Sequence, residues 1–259
     1  MPELPDVEGF RRYMARHATG KRITGVRVRS PAILRNTNPQ GLSRAVKGRV
    51  LTKPNRHGKW LSAPVGRTTL ILHFGMTGGF QWTSHPRTEG RFDRMVLEFA
   101  DGELRYHNMR MLGGVWTLRR EDEVEQVTGK LGPDAAAVGA DEFEEMLNGR
   151  RGGIKAALMN QRMIAGIGNE LSDEILWQAR VHPSRAVSSL GLRKRRDLYE
   201  VMRRVLVESM RRGRIPRHPG WLTSQRGVRD PTCPRDGRRL RKTTVAGRTS
   251  YWCPRDQRP

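Results

Sequence analysis

Cysteine is nearly absent: two residues in a chain of 259 cannot make a disulfide framework. Long apolar runs are missing as well, and nothing approaches the roughly 18 consecutive residues that a membrane span requires. Aromatic residues make up only 6% of the chain, and hydrophobic residues 36% against 29% charged. That balance is polar for a globular protein but not that of a disordered chain. The length suits one large or two medium domains with a sizeable core. The opening MPELPDVEGF carries acids where a secretory signal has a basic region, so a cytoplasmic location is expected. Acidic residues are in short supply: 26 Asp and Glu face 49 Lys and Arg, a formal net charge of +23.

That excess points to a polyanionic partner, since basic side chains bind nucleic acid by contacting phosphates and releasing their counterions. Arginine outnumbers lysine 41 to 8, as codon bias in a GC-rich genome would produce, but such bias exchanges one cation for another and creates no surplus charge. The surplus is also uneven. Residues 1–120 hold 22 basic and 8 acidic residues, 121–150 hold 2 and 9, and 151–259 hold 25 and 9. The pattern suggests two basic lobes joined by an acidic, solvated connector.

Residues 3–18 read as a helix, with Pro5 in the first turn, Glu3, Asp6 and Glu8 at the positive end of the dipole, and Gly20 to end it. Short strand-like segments follow around Ile23, Val26 and Val28 and over 69–74, 95–99, 104–107 and 115–118, a run that suggests a β-sandwich or barrel. From residue 121 the pattern turns helical. Residues 141–147 are short and acidic, and 155–164 are apolar on one side. Asn169 is placed to cap a helix burying Leu171, Ile175, Leu176 and Ala179, and a longer helix through Leu198 and Val205 ends near Gly213. Residues 214–232 read as a loop and 233–259 as a hairpin. The expected class is α+β, divided into 1–120, a connector 121–150, a helical part 151–228 and a hairpin 229–259.

Four motifs carry chemistry. Removal of Met1 would expose the secondary amine of Pro2, and an α-amino group titrates near 7.7–8.0 against about 10.4 for lysine, so much more of it is neutral and nucleophilic. Glu3 beside it can move protons; the alternative is a plain helix start. In Asn55-Arg56-His57-Gly58-Lys59-Trp60, Gly58 permits a tight turn and Lys59 projects from the following strand; a surface cation is the alternative. Ala165-Gly166-Ile167-Gly168-Asn169-Glu170 is a glycine-bracketed turn into a helix, either a phosphate seat or an ordinary connection. Finally, Cys233 and Asp236 are echoed by Cys253 and Asp256 in the spacing of a two-knuckle zinc ribbon with aspartate as the second member of each pair. Two thiolates and two carboxylates are permitted zinc ligands, though a weaker set than four thiolates. A metal-free hairpin packed on Tyr251 and Trp252 is the equal alternative.

Taken together, PELPDVE, AGIGNELSDEILW and GRTSYWCP resemble the formamidopyrimidine-DNA glycosylase / endonuclease VIII family over essentially the whole chain. The resemblance implies an N-terminal helix plus β-sandwich domain and a C-terminal helix-two-turn-helix domain with a zinc-ribbon hairpin, with damaged duplex DNA in a basic cleft between them. It implies a bifunctional DNA glycosylase and abasic-site lyase of base excision repair. Pro2 would attack C1′, Glu3 would protonate the deoxyribose ring oxygen, Lys59 would contact the lesion phosphate and assist elimination, and Arg248 would bind the phosphates flanking the flipped nucleotide. His73, Arg150, Lys155 and Asn169 would contact DNA, and Glu174 would be a structural acid near the active site. In His73-Phe74-Gly75-Met76-Thr77-Gly78, Met76 would fill the hole left by the flipped base; Arg110 would pair with the estranged base, beside Leu112. Structural zinc would be held by Cys233, Asp236, Cys253 and Asp256; the chemistry itself needs no cofactor. Nothing points to an obligate oligomer, and a monomer is expected.

The chain departs from the family in four places. Asp236 and Asp256 replace ribbon cysteines. The segment Tyr106-His107-Asn108-Met109-Arg110-Met111-Leu112-Gly113 replaces one that usually reads Asp-Pro-Arg-Arg-Phe-Gly in the family; Arg110 is kept, and Leu112 stands where the purine branch has a Phe wedge. Phe92 replaces a common DNA-contacting histidine, and Asn160 a common aspartate. Met76 and Arg110 favour formamidopyrimidines and oxidised purines, whereas the 214–232 loop and the tail lean toward oxidised pyrimidines. An inactive damage-binding protein of the same fold and a generic RNA-associated basic protein are the competing readings, in that order.

Overall fold

A computed structural model describes residues 1–84, 88 and 90–258, apart from the side chain of Glu121. Pro259, the last residue of the expected hairpin segment, lies outside the described residues. The chain forms two compact units, one of Met1–Pro2 and Asp6–Lys130 and the other of Glu3–Pro5 and Leu131–Pro259. Helix α1 (Leu4–Ala18) therefore begins in the second unit and continues in the first.

The first unit is a sandwich of two antiparallel four-stranded sheets. Strands β1 (Gly25–Val28), β5 (Gly78–Thr83), β6 (Asp93–Phe99) and β7 (Gly102–Asn108) pair in the order β1-β6-β7-β5. Strands β2 (Asn55–His57), β3 (Trp60–Val65), β4 (Thr68–His73) and β8 (Gly114–Leu118) pair in the order β2-β3-β4-β8. In β3, Leu61, Ala63 and Val65 are buried while the residues between them are half-buried, the alternation of a strand with one face on a core. They share a core with Leu70 and Leu72 of β4, Met95 and Leu97 of β6, Leu104 and Tyr106 of β7, and Val7, Met14 and Ala18 of α1. Helix α2 (Pro39–Val46) was not foreseen, although its signal is local. The Asn38 side chain accepts from the Gly41 N–H at 2.8 Å, and Pro39 opens the first turn.

The second unit is helical. Its helices are α4 (Ala140–Leu147), α5 (Ile154–Met159), α6 (Asn169–Gln178) and the 21-residue α7 (Leu192–Arg212), ended by Gly213 in the left-handed region. A short α3 (Val124–Thr128) precedes them in the first unit. The acidic 121–150 stretch is not solvated throughout, because Phe143 and Leu147 of α4 enter the helical core with Leu158, Leu171, Ile175, Leu198 and Val205. Strands β9 (Arg241–Val245) and β10 (Arg248–Trp252) form the expected hairpin across a two-residue turn, Ala246-Gly247, in which both residues have positive φ. A satellite core of Trp177, Leu222, Cys233, Leu240 and Cys253 lies with it. Among the described residues no helix is long and apolar enough to cross a membrane.

Candidate active site and nucleic-acid interface

Glu3 holds the best-defined position. Its carboxylate is buried and accepts from the backbone N–H groups of Gly168 at 2.7 Å, Glu170 at 2.8 Å and Leu171 at 3.2 Å. These are otherwise unsatisfied donors at the start of α6, where the helix dipole also favours negative charge. The Leu4 N–H donates to the Gly166 carbonyl at 3.1 Å, and a Cβ at Gly168 would collide with the Glu3 carboxyl group. The helix is therefore capped from a distant part of the chain and not by Asn169, which is its first residue and makes no side-chain cap. The glycine-bracketed turn receives a carboxylate of the protein itself rather than a phosphate.

Asn169 instead belongs to a buried polar network. The Lys155 ammonium, fully buried, donates to Asn169 Oδ1, Asp173 Oδ1 and Ser250 Oγ, each at 2.6 Å. Asp173 Oδ2 accepts from the Tyr251 N–H at 3.1 Å and from Arg226. Asn169 Nδ2 donates to the Thr249 carbonyl at 3.2 Å. Three consecutive residues of β10, Thr249 to Tyr251, are thus registered on α5 and α6, and Arg248, exposed at the start of the strand, is carried by that register. Lys155 has no proton left for a DNA phosphate. The expected direct contact is corrected to an internal one, because a buried ammonium must spend its donors on acceptors nearby. Burial lowers the Lys155 ammonium and raises the Asp173 carboxyl from their ordinary values, and each is opposed by the other's charge. Motif reading missed Asp173, Arg226 and Ser250. The presence of one lysine among apolar neighbours on α5 was the available signal.

Glu174 is also fully buried. It accepts from the Thr223 N–H and from Gln178 Nε2, both at 2.9 Å, and burial raises its carboxyl to about 7. Thr223 in turn donates to the Pro216 carbonyl at 2.7 Å. Glu174 therefore pins the segment expected to be a plain loop, which contains a short 3-10 helix, Leu222–Gln225. Arg150 donates to the Met146 carbonyl at 3.1 Å.

In the sandwich, Lys59 sits in the β2–β3 turn itself, not in the following strand, after Gly58 with positive φ. Its side chain is largely buried. His73 lies close enough to feel its charge: burial, and then the Lys59 ammonium, depress the imidazole to about 4, so it is neutral at physiological pH. The ring packs on Trp60 at 4.7 Å, and Nδ1 accepts from the Gly75 N–H at 3.3 Å. Met76 is exposed and meets Arg110, whose Nη1 lies 3.2 Å from the Met76 sulfur; Leu112, 55% exposed, is on the same 108–113 loop. Pro2 is half-buried beside an exposed Met1.

The ribbon motif is only partly assembled. Cys233, Asp236 and Cys253 bring their ligand atoms within 4.8 Å of one another, a possible metal-binding group. Asp256 is not in that group; its carboxylate faces Arg235 at 3.3 Å and Arg180 at 3.9 Å. Three protein ligands are fewer than the four that close a structural zinc site. The hairpin has other supports. Arg235 stacks on Trp177 at 4.0 Å, Trp252 packs edge-on against His182 at 4.4 Å, and buried Gln257 bridges the Cys253 N–H and the Val181 carbonyl, both at 2.8 Å.

Comparison with known proteins agrees with this architecture. Residues 1–115 match the family model of the formamidopyrimidine-DNA glycosylase N-terminal domain and residues 131–217 that of the formamidopyrimidine-DNA glycosylase H2TH domain. The chain is 34% identical to the formamidopyrimidine-DNA glycosylase of Alkalilimnicola ehrlichii over 278 residues, covering both chains completely. It is 35% identical to that of Pelobacter propionicus over 270 residues, 99% of this chain and 100% of the relative. Among solved structures, the Lactococcus lactis Fpg complex with N7-benzyl-Fapy-dG DNA aligns at a TM-score of 0.89 and 27% identity over the whole of both chains. The Lactococcus lactis Fpg complex with abasic-site DNA aligns at 0.88 and 27%, covering 99% of this chain and 100% of that one.

Proposed function

This chain belongs to the formamidopyrimidine-DNA glycosylase family, and on that premise we propose that it excises formamidopyrimidines and oxidised purines from duplex DNA through an imine on Pro2 and then cuts the strand. The observation that carries the reading is the seating of Glu3. Its carboxylate is fixed by three hydrogen bonds at the start of α6, which anchors the residue next to Pro2. Once Met1 is removed, the Pro2 nitrogen attacks C1′ of the flipped nucleotide as the C1′–base bond breaks, and the amine proton leaves with the base. Glu3, in its protonated form, then gives its proton to O4′ as the C1′–O4′ bond breaks, which leaves a ring-opened iminium on Pro2 and a carboxylate on Glu3. The iminium acidifies C2′, loss of that proton expels the 3′ phosphate, and a second elimination can release the sugar. Lys59 supplies positive charge at the lesion phosphate, Asn169 and Arg248 bind flanking phosphates, and Arg150 adds charge to the same interface. His73 reaches the backbone as a neutral donor or acceptor. Met76, Arg110 and Leu112 enter the opened stack, where apolar wedges offset the cost of unstacking.

We further propose that the hairpin is held by its satellite core and by the Lys155–Asp173 network and does not depend on zinc. An ion bound at Cys233, Asp236 and Cys253 would stiffen the knuckle only.

The test is borohydride trapping on an abasic-site duplex and a panel of oxidised-base duplexes, with protein shown by mass to begin at Pro2. A covalent complex that vanishes when the amine is blocked by an N-terminal extension is the expected result, and the panel ranks the lesions. Mature protein that traps on no duplex but still binds lesions selectively would overturn the imine mechanism in favour of a damage-binding protein.

A further inference from the structure

The 108–113 loop departs from the family's usual sequence, and its first residue is the buried centre of the structure around it. Asn108 is fully buried. Its Nδ2 donates to the Phe74 carbonyl at 3.3 Å and to the Tyr106 hydroxyl at 3.0 Å. Its Oδ1 accepts from the Met111 N–H at 2.9 Å and from the Thr77 hydroxyl at 3.5 Å. One amide therefore ties the 74–77 loop, which carries Met76, to the loop that carries Arg110 and Leu112. A second link runs directly between the loops, from the Arg110 N–H to Thr77 Oγ1 at 3.2 Å.

The donor half of the amide does work that an ionised carboxylate cannot. Tyr106 donates its own proton to the His73 carbonyl at 2.9 Å, so its oxygen must accept from Asn108. Burial pushes the Tyr106 hydroxyl up to about 12, and that proton stays in place. The Phe74 carbonyl can only accept. The aspartate usual in the family has no proton to give when ionised and would set an anionic oxygen against both acceptors. Met111 lies in the left-handed region at φ 50°, a costly conformation for a side chain of this kind, and the hydrogen bond from its N–H to Asn108 holds it there. Outside the hub, Arg35 binds the Met111 and Gly113 carbonyls at 3.1 and 2.6 Å, and Arg94 binds the Asn108 carbonyl at 2.9 Å. The loop backbone is thus held at Asn108, Arg110, Met111 and Gly113 while the side chains of Met76, Arg110 and Leu112 are exposed.

We infer that Asn108 is a positioning residue for opening the duplex: its amide locks the two wedge-bearing loops into the single arrangement that enters the stack. The inference rests on the role given to Met76, Arg110 and Leu112 under Proposed function. Asn108 itself touches no DNA; it acts through the spacing of those three side chains.

The test compares wild type with Asn108→Asp, Asn108→Ala and Met76→Ala on two substrates. One is an intact duplex with an oxidised purine opposite 2-aminopurine, whose fluorescence reports unstacking on binding. The other is an abasic site facing a one-nucleotide gap, where there is no estranged base to displace. Asn108→Asp is expected to lower single-turnover excision from the intact duplex about tenfold and to blunt the fluorescence rise. For Asn108→Asp, cleavage at the gap-facing site should stay within about twofold of wild type, and Met76→Ala should lower excision from the intact duplex and blunt the fluorescence rise as well. Equal losses on both substrates, or wild-type behaviour of Asn108→Asp on both with normal fluorescence, would overturn the inference. Wild-type protein that cuts neither substrate overturns the reading under Proposed function instead; the fluorescence arm needs only binding and then decides on Asn108 by itself.

Discussion

Two fully buried polar side chains organise the two units, and they do so by different physics. In the sandwich the hub is neutral: the Asn108 amide joins two loops and the Tyr106 hydroxyl of β7 through four hydrogen bonds. In the helical unit the hub is charged: Asp173 faces the Lys155 ammonium, the Arg226 guanidinium and the Tyr251 N–H. Both place residues that the family's chemistry would direct at DNA, the exposed Met76, Arg110 and Leu112 in one case and the half-buried Asn169 and the exposed Arg248 in the other. A neutral amide costs little to bury once its partners are met, so it specifies geometry cheaply. A buried ion pair costs several kcal/mol per ion to desolvate, and it persists only while every partner is present.

The largest expected effect follows from that contrast. Lys155→Met strands the Asp173 carboxylate with one cation and should cost about 3–5 kcal/mol of stability in denaturant unfolding. Asn108→Ala leaves uncharged groups unsatisfied and should cost about 1–3 kcal/mol. Equal losses would break the comparison between charged and neutral hubs.

A smaller effect separates the units by pH. The Glu174 carboxyl is raised from 4.5 to about 7, so the stability tied to its proton is fully present below pH 4.5 and is lost as pH rises through about 7. Its surroundings, Gln178, Thr223 and the more distant Arg235 charge, do not offset its burial. His73 in the sandwich has the opposite sign. Its imidazole is depressed from 6.5 to about 4, so its contribution is present above pH 6.5 and is lost as pH falls through about 4. Melting temperatures measured from pH 4 to 8 should show Glu174→Gln flattening the decline on the alkaline side and His73→Gln flattening the decline on the acid side. An acid-side effect of Glu174→Gln together with an alkaline-side effect of His73→Gln would reverse the sign of both contributions.

The smallest expected change is at the knuckle. With Asp256 held by Arg235 and Arg180, chelation should leave the melting temperature and the trapping yield unchanged, whereas Arg235→Ala should lower the melting temperature. A large chelator effect on the wild type would return the hairpin to metal control.

Much of the fold was legible because its signals are local. The α1 helix, the core strands of the sandwich and the β9–β10 hairpin each carry their own period, cap or turn. Strand β5 begins with Gly78-Gly79 and β3 contains Pro64, residues that weaken the strand pattern, although both are paired in the sheets. The site was legible as residue types and order: Pro2, Glu3, Lys59, Asn169 and Arg248 stand in recognisable motifs. Their partners were not. Nothing around Asn169 signals that Glu3, far away in sequence, caps its helix. Nothing in a motif distinguishes a lysine that meets phosphate from one, like Lys155, that is consumed inside.

By itself, then, the sequence determined the charge, the succession of elements and the identities of the reactive groups, because these depend on composition and on neighbours a few residues apart. Only the tertiary structure decided which polar groups are buried and who satisfies them. A hydrogen-bond partner 165 residues away, as Gly168 is from Glu3, leaves no local trace. Yet the cost of an unsatisfied buried charge makes that partner the thing that fixes the site.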